Sequence, residues 1–316
     1  MNKVVKNILT PIYKFFFKKR IALKVENAQL KYQLEYMKRH CNVSDMSLAV
    51  GYLREYQLIE LDFALEIIEM LKQYDIHPFL EGGALLGAMR HKGFIPWDDD
   101  IDVGLMREDY EKLIRIAKEN YIWIDSNLKT GVYAKYVDEQ IRLNQNKYVW
   151  ILTPNCLHVY YVTCLKDAKN LEFFPSDYVR EDVTEKQYLE YRQKIIDFVH
   201  SDHSWKEVFE FYEKELKTNQ IYTKEKNSRL TPGIGNWVLT EYNFYGFRNT
   251  DELFPLKSIN FEDKVILGPN KPEIMLDKQF SPKWSSFPND VGVSHTLQEL
   301  NVYLESIGTP IDYKEF

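Results

Sequence analysis

Residues 81–104 read EGGALLGAMRHKGFIPWDDDIDVG. A short β-prone run, Phe79-Leu80-Glu81, leads into Gly82-Gly83, and a helix-prone run follows from Ala84 to His91. Lys92-Gly93 marks a turn. Asp98, Asp99, Asp100 and Asp102 then place four carboxylates within five positions, set among Trp97, Ile101 and Val103. Read as a strand, the segment alternates, so Asp98, Asp100 and Asp102 share one face. Like charges held that close repel and raise one another's pKa values, and a cation relieves the repulsion. Hard carboxylate oxygens suit Mg²⁺ or Mn²⁺. A solvated acidic turn is the bland alternative, and the apolar residues that interrupt the acids argue against it.

The upstream half reads as a phosphate cradle. Glycines let backbone N–H groups approach an anion, and a helix N-terminus adds a favourable dipole. Arg90, His91 and Lys92 bring basic groups to the end of the same helix. A strand, a Gly-Gly pair, a short helix and an Asp-hydrophobic-Asp strand, in that order, resemble the nucleotidyltransferase superfold of the polymerase-beta type. The expected fold is therefore α+β, with a mixed sheet flanked by helices and an added N-terminal helical arm. The stretch from Gly82 to Gly104 is more closely similar to the signature of the LicD family of phosphotransferases, which includes the fukutin-related proteins. A looser similarity covers residues 254–288, where FPLKSINFEDKVILGPNKPEIMLDKQF resembles the family's C-terminal strand and Pro-led helix. Phe280-Ser281 stands where the family usually has Tyr-Gly, and Trp284 and Pro288 follow. The resemblance runs from about Leu53 to about His295, thinly in the middle.

That resemblance implies a CDP-linked donor, a glycan acceptor or its lipid-linked precursor, and Mg²⁺ or Mn²⁺ held on the diphosphate by Asp100 and Asp102, with Asp98 in support. It implies Gly82 and Gly83 around a phosphate, Arg90 against its charge, and His91, Lys92 and Trp97 beside the substrate. Many relatives carry another aspartate on a later strand. Here Leu157-His158-Val159-Tyr160 is the best counterpart, so His158 takes the acid's place as metal ligand or base, with a core histidine as the plain reading and Asp167 as the nearby alternative. A nucleotidyltransferase acting on a sugar phosphate or small molecule, and a non-catalytic scaffold, are the competing functions.

The rest of the chain sets the context. Aromatics make up 15% of 316 residues, spread along the chain, which suits core and surface packing more than a stacking cleft. Cys41, Cys156 and Cys164 are odd in number and lack CxxC spacing, which argues against a disulfide scaffold or zinc cluster and for a reducing, cytoplasmic setting. Neither a secretory signal nor a bilayer-length apolar run is evident. Residues 1–40 carry ten Lys or Arg against two Glu, which is +8, so with a total of −6 for the whole chain the remainder carries −14. An acidic body excludes general nucleic-acid binding. Val5, Ile8, Leu9, Ile12 and Phe16 fall near one helical face, so residues 1–20 suit an anionic membrane surface at its inner face, or a helix packed on its own domain. Leu23, Leu30 and Met37 repeat every seven residues within 21–40, a seam for a homo-oligomer. The expected division is an arm over 1–43 and a catalytic domain over 44–316. Further expectations are a helix from about Ser47 to Tyr74, another from Arg107 to Glu119, strands over 133–143 and 148–165, helix over 184–217, a strand pair over 259–267 and a helix over 272–280.

Overall fold

The computed structural model describes residues 3–125, 148–161, 169–218, 220–236, 247–280 and 284–288. Contacts divide the chain into two compact units, one built on Met1–Asp45 and the other on Met46–Trp284. The first unit is dominated by α1 (Lys3–His40), one unbroken helix where two successive helical segments were expected. Lys38, Arg39 and His40 fill its last turn, where the helix dipole favours cations. The seam residues Leu23, Leu30 and Met37 are 51%, 55% and 38% exposed. No helix among the described residues is long and apolar enough to cross a membrane.

The second unit is α+β. Helix α2 (Gly51–Lys72) buries Leu53, Tyr56, Leu61, Ala64, Ile67 and Leu71 at helical spacing. Then come β1 (Phe79–Leu80), α3 (Gly82–His91), β2 (Asp102–Met106), α4 (Arg107–Asn120) and β3 (Ile122–Asp125). The expected strand over 133–143 lies outside the described residues. The expected strand over 148–165 is a hairpin, β4 (Val149–Leu152) and β5 (Leu157–Tyr161), turned at Thr153-Pro154-Asn155-Cys156. Strand β6 (Lys169–Val179) follows, then α5 (Glu185–Val199) and α6 (Trp205–Thr218), two helices where one helical stretch was expected. Strands β7 (Tyr222–Thr223), β8 (Arg229–Pro232) and β9 (Arg248–Asn249), helix α7 (Thr250–Leu253), the hairpin β10 (Lys257–Phe261) and β11 (Lys264–Gly268), and α8 (Pro272–Phe280) complete the described elements.

The main sheet runs β1-β2-β6-β5-β4-β3, and β6 also pairs with β7 and β8. Strands β2 and β6 are parallel, as are β3 and β4, while the other described pairs are antiparallel. The sheet is thus mixed, and helices pack against it. Its central strand, β6, was not anticipated. Its sequence KNLEFFPSDYV carries Pro175, which argues against an interior strand. The structure places Pro175 where one partner gives way to another: β5 pairing ends at Phe173 and β8 pairing begins at Ser176. The missing N–H falls at that changeover, so the ladder loses little.

One face of the sheet is core. Val103, Leu105, Leu171, Phe173, Leu157, Val159 and Trp150 are fully buried, and Trp150 stacks on Phe173 at 5.9 Å. A buried ion pair fastens the corner between β1 and α3. Arg248 donates to Glu81 Oε1 at 2.9 Å and to Gln279 of α8 at 3.2 Å, and both charged groups are at most 4% exposed. The pair needs Gly104 beneath it, because a Cβ there would lie 2.4 Å from Glu81 Oε2 and 2.3 Å from the Phe79 ring. Removing one partner strands the other's charge in the interior. Arg248→Ala is therefore expected to cost about 3–5 kcal/mol in denaturant unfolding, while Glu81→Gln with Arg248→Met recovers most of that loss. Equal stability of wild type and Arg248→Ala would contradict the assignment.

Candidate active site at the start of β2

The four aspartates do not lie on one strand. Strand β2 begins at Asp102, and Asp98–Ile101 is irregular chain, so strand alternation is not what gathers them. The loop is shaped instead by burial of Phe94, Ile95 and Ile101 and by α2. Gln57 donates through Nε2 to the carbonyls of Ile95 (3.2 Å) and Asp98 (2.7 Å). Arg54 Nη1 donates to Gln57 Oε1 (3.2 Å) and also forms a two-pronged pair with Glu262, at 2.9 and 2.7 Å. Glu262 sits at the β10–β11 turn, where its carboxylate accepts the Phe94 N–H at 3.1 Å and its own N–H donates to Lys92 O at 2.6 Å. Gly93 is required there, since a Cβ would meet Glu262 Oε1 at 2.2 Å. The phenyl rings of Phe94 and Phe261 meet edge to face at 4.9 Å. The two stretches singled out in the sequence, 81–104 and 254–288, therefore pack on each other.

Asp102 stands at the N-terminus of α3. Its Oδ2 accepts the Gly83 N–H at 3.1 Å. Helix α3 begins at Gly82, two residues earlier than expected, so the Gly-Gly pair forms its first turn. Gly82 has φ +55, and a Cβ on it would lie 2.4 Å from Asp102 Oδ2. A Cβ on Gly83 would meet Asp98 Oδ2 at 2.9 Å and Asp102 Oδ2 at 3.7 Å, so both carboxylates converge over this glycine. The cradle expected for a phosphate thus holds a carboxylate at one of its N–H groups. Asp98, Asp99 and Asp100 each offer an oxygen, all within 4.8 Å of one another. Asp99, which alternation had excluded, belongs to that trio and is fully buried. Burial first, then Asp100, Glu172 and Asp98, push the Asp102 carboxyl well above the usual range, against the Gly83 N–H. Crowded hard oxygens of this kind fit a divalent cation such as Mg²⁺ or Mn²⁺.

Glu172 was not foreseen. It lies beside Asp102 across the parallel β2–β6 pair, and His158 faces it across the antiparallel β5–β6 pair. Asp102, Glu172 and His158 therefore form one row across three strands, with Glu172 in the middle. His158 Nδ1 is 3.1 Å from Glu172 Oε1. A second carboxyl, Glu60 of α2, lies buried behind the acids. It accepts the Asn170 N–H and a hydrogen bond from Tyr56, and burial raises its pKa strongly. Asp167 lies outside the described residues.

Arg90, expected against a phosphate, is only 7% exposed. It donates to His91 Nε2 at 2.9 Å and to Trp284 O at 2.9 Å, and its guanidinium lies 5.7 Å from the Trp97 ring centre. Burial lowers its pKa to about 10, against the pull of Asp98, so it stays charged near neutral pH. Caged in this way, it packs on Trp97 beside the acidic loop. His91 meets Trp97 edge to face at 6.2 Å, and burial with Arg90 lowers its pKa to about 4. Lys92 ends α3 in the left-handed conformation with its side chain exposed.

Residues 75–195 match the family model described as LicD/FKTN/FKRP, nucleotidyltransferase domain. That match is to a LicD-family domain and spans less than half of the chain. The matched region holds Gly82, Gly83, the four aspartates, His158 and Glu172. The chain is 47% identical over 64 residues to the lipopolysaccharide cholinephosphotransferase LicD of Haemophilus influenzae, which is 20% of this chain and 24% of that protein. It is 54% identical over 51 residues to an uncharacterized protein of Rickettsia prowazekii, 16% and 19% of the two chains. To the ribitol 5-phosphate transferase FKRP of Homo sapiens it is 46% identical over 43 residues, 14% and 9%. The chain thus spans about a quarter or less of the length of these relatives, two of which are named as phosphotransferases.

The glycine geometry gives a contrast that can be measured. Gly82→Ala combines a left-handed backbone with a clash on Asp102. Gly235→Ala has φ +84 but meets nothing closer than 3.9 Å. Backbone strain alone costs about 1–2 kcal/mol, so Gly235→Ala should lose about that much in denaturant unfolding and Gly82→Ala distinctly more. Equal losses would mean that Asp102 does not pack on α3 as described.

Proposed function

We propose that this chain transfers a phospho-linked group, of the phosphocholine, phosphoribitol or phosphoglycerol type, from a CDP-activated donor to a hydroxyl of a cell-surface glycan or its lipid-linked precursor. The observation that carries this reading is the gathering of Asp98, Asp100, Asp102 and Glu172 at the N-terminus of α3, inside the region that matches the LicD model. It uses the nucleotidyltransferase superfold, for which the mixed sheet and the strand–Gly-Gly–helix–acid order are the support. Asp98, Asp100 and Asp102 hold Mg²⁺ or Mn²⁺. Such a cation, when bound, neutralises charge on the donor's diphosphate.

Gly82 and Gly83 let the donor's phosphates approach the start of α3, where N–H groups favour anions. Glu172, the direct lateral neighbour of Asp102, completes the acidic set in place of the aspartate for which His158 was the expected substitute. Arg90 acts through Trp97 and the Asp98 loop as a positioning residue. The acceptor oxygen attacks the distal phosphorus, the bridging P–O bond breaks, and CMP leaves with the bridging oxygen. Positioning and electrostatics supply most of the rate. Nucleotidyl transfer, with attack on the alpha phosphorus and release of pyrophosphate, is the second reading, supported by the description of the matched domain.

Asp100→Asn and Asp102→Asn are each expected to abolish turnover with the fold intact, and chelation to stop it reversibly. A panel of CDP-activated donors and nucleoside triphosphates, assayed for CMP released from the former and pyrophosphate released from the latter, tests the class of reaction. Pyrophosphate release in place of CMP would replace the first reading with the second, and full activity of either Asn variant would overturn both.

We infer also that α1 docks on an anionic membrane surface through residues 1–20, on the support of its basic charge, and self-associates through 21–40. Each basic residue near such a surface contributes on the order of 1 kcal/mol, screened by salt. Deleting residues 1–20 should release the protein from anionic vesicles without changing turnover on a soluble acceptor analogue. Failure of the full chain to sediment with such vesicles at low salt would refute the docking.

A further inference from the structure

The β4–β5 hairpin brings a different donor set to the edge of the acidic row. Cys156, His158 and Glu172 offer sulfur, nitrogen and oxygen, all within 4.8 Å of one another. Cys156 Sγ lies 3.0 Å from His158 Nε2 and 3.7 Å from Glu172 Oε2. The third distance, 3.1 Å, joins His158 Nδ1 to Glu172 Oε1. A tetrahedral zinc site with one sulfur and two lighter ligands spaces its donors by about 3.3–3.6 Å, given Zn–S near 2.3 Å and Zn–N or Zn–O near 2.0–2.1 Å. The two separations from Cys156 Sγ, to His158 Nε2 and to Glu172 Oε2, bracket that range, and the 3.1 Å contact involves the other ring nitrogen, so the Glu172 carboxylate has to turn from Nδ1 toward the ion to serve as a ligand.

The donors are held by structure on every side. Thr153 and Cys156 close the hairpin turn, with Thr153 N donating to Cys156 O at 2.9 Å. Thr153 Oγ1 accepts the Asn155 and Cys156 N–H groups at 3.2 and 3.1 Å and donates to Cys156 O at 3.0 Å. The same hydroxyl stands 3.4 Å from His158 Nε2 and 3.7 Å from Cys156 Sγ. Tyr160 stacks on the imidazole at 5.6 Å. Asn170 donates to Glu172 Oε1 at 3.1 Å. The thiol is nearly enclosed while Glu172 is 22% exposed, so entry is from the Glu172 side.

We propose that Cys156, His158 and Glu172 form a second cation site, selective for a thiophilic divalent ion of the zinc class and separate from the all-oxygen site of the aspartates. Thiolate and imidazole select such ions over magnesium. Glu172 is shared, so the ion sits directly beside the acidic row. The sequence argued against a zinc cluster because no CxxC is present. The mixed set escapes that argument, since Glu172 comes from a strand 14 residues beyond His158. This inference does not rest on the phosphotransfer reading, and either can fail alone.

The test uses the full chain, stripped with chelator and titrated with Co²⁺ in the presence of excess Mg²⁺. One equivalent should produce a thiolate-to-cobalt charge-transfer band, and stoichiometric Zn²⁺ should abolish it. Cys156→Ser should lose the band and at least about tenfold in Zn²⁺ affinity, the least cost expected when even an outer-shell partner is lost. Asp100→Asn and Cys41→Ser should keep the band. Should Cys156→Ser fold poorly, His158→Gln serves, with loss or strong change of the band expected. Absence of the band in folded wild type, or its persistence in Cys156→Ser, overturns the proposal.

Discussion

The carboxylates of Asp98, Asp99, Asp100, Asp102 and Glu172 are forced together at one corner of the sheet, and their repulsion is the constraint that the neighbouring structure answers. Removing a carboxylate from water costs several kcal/mol even after relaxation. The N-terminus of α3 returns only part of this at Asp102, since a helix end contributes about 0.3–1 kcal/mol, rising to about 2 in favourable partly buried geometry. One N–H from Gly83 and one helix dipole do not balance the charge. Protonation, which the raised pKa of Asp102 favours, or a cation would meet the remainder. Either would relieve the repulsion among the carboxylates.

Much of this was legible from local pattern. The Gly-Gly pair, the short helix and the run of aspartates lie within 24 residues, and each has a short-range cause: positive φ at Gly82, buried apolar positions in α3, and apolar residues around the acids. The β10–β11 hairpin and α8 were equally plain from alternation, a turn and a leading proline. Strand β6 was not, because Pro175 reads as a breaker unless the exchange of β5 for β8 is known. Glu172 was missed for the same reason. A lone glutamate becomes a neighbour of Asp102 only when two parallel strands 70 residues apart are aligned.

The strand alternation applied to Asp98 and Asp100 also failed for a physical reason. A loop pinned through its carbonyls by Gln57 can converge its side chains without strand geometry. Gln57 itself, with Tyr56 and Glu60, gave no usable signal. Polar residues on an amphipathic helix read as its solvated face, yet here all three are about 1% exposed and turned toward the acids and β6. The burial of Arg90 was equally hidden in the sequence: Trp97 and the Trp284 carbonyl, the second 194 residues away, enclose it.

The region that carries the acids is not the region that steadies them. Residues 75–195 contain Glu81, Gly93, Arg90 and the Asp98 loop. Their partners Gln57, Arg248, Glu262 and Trp284 all lie outside it, backed in turn by Arg54 and Gln279. Each direct partnership joins a charge or a backbone group of the acidic corner to a side chain or carbonyl from α2 or from the segment after β8. A crowd of like charges tends to spread, and rigid positions oppose that relaxation. Those outer braces supply that rigidity from three directions, through Glu262 at the Gly93 turn, Gln57 at the loop and Arg248 at the start of α3. The matched domain and its braces therefore have to be read as one cooperative unit, in which a change as remote as Glu262 acts on the aspartates through Arg54 and Gln57.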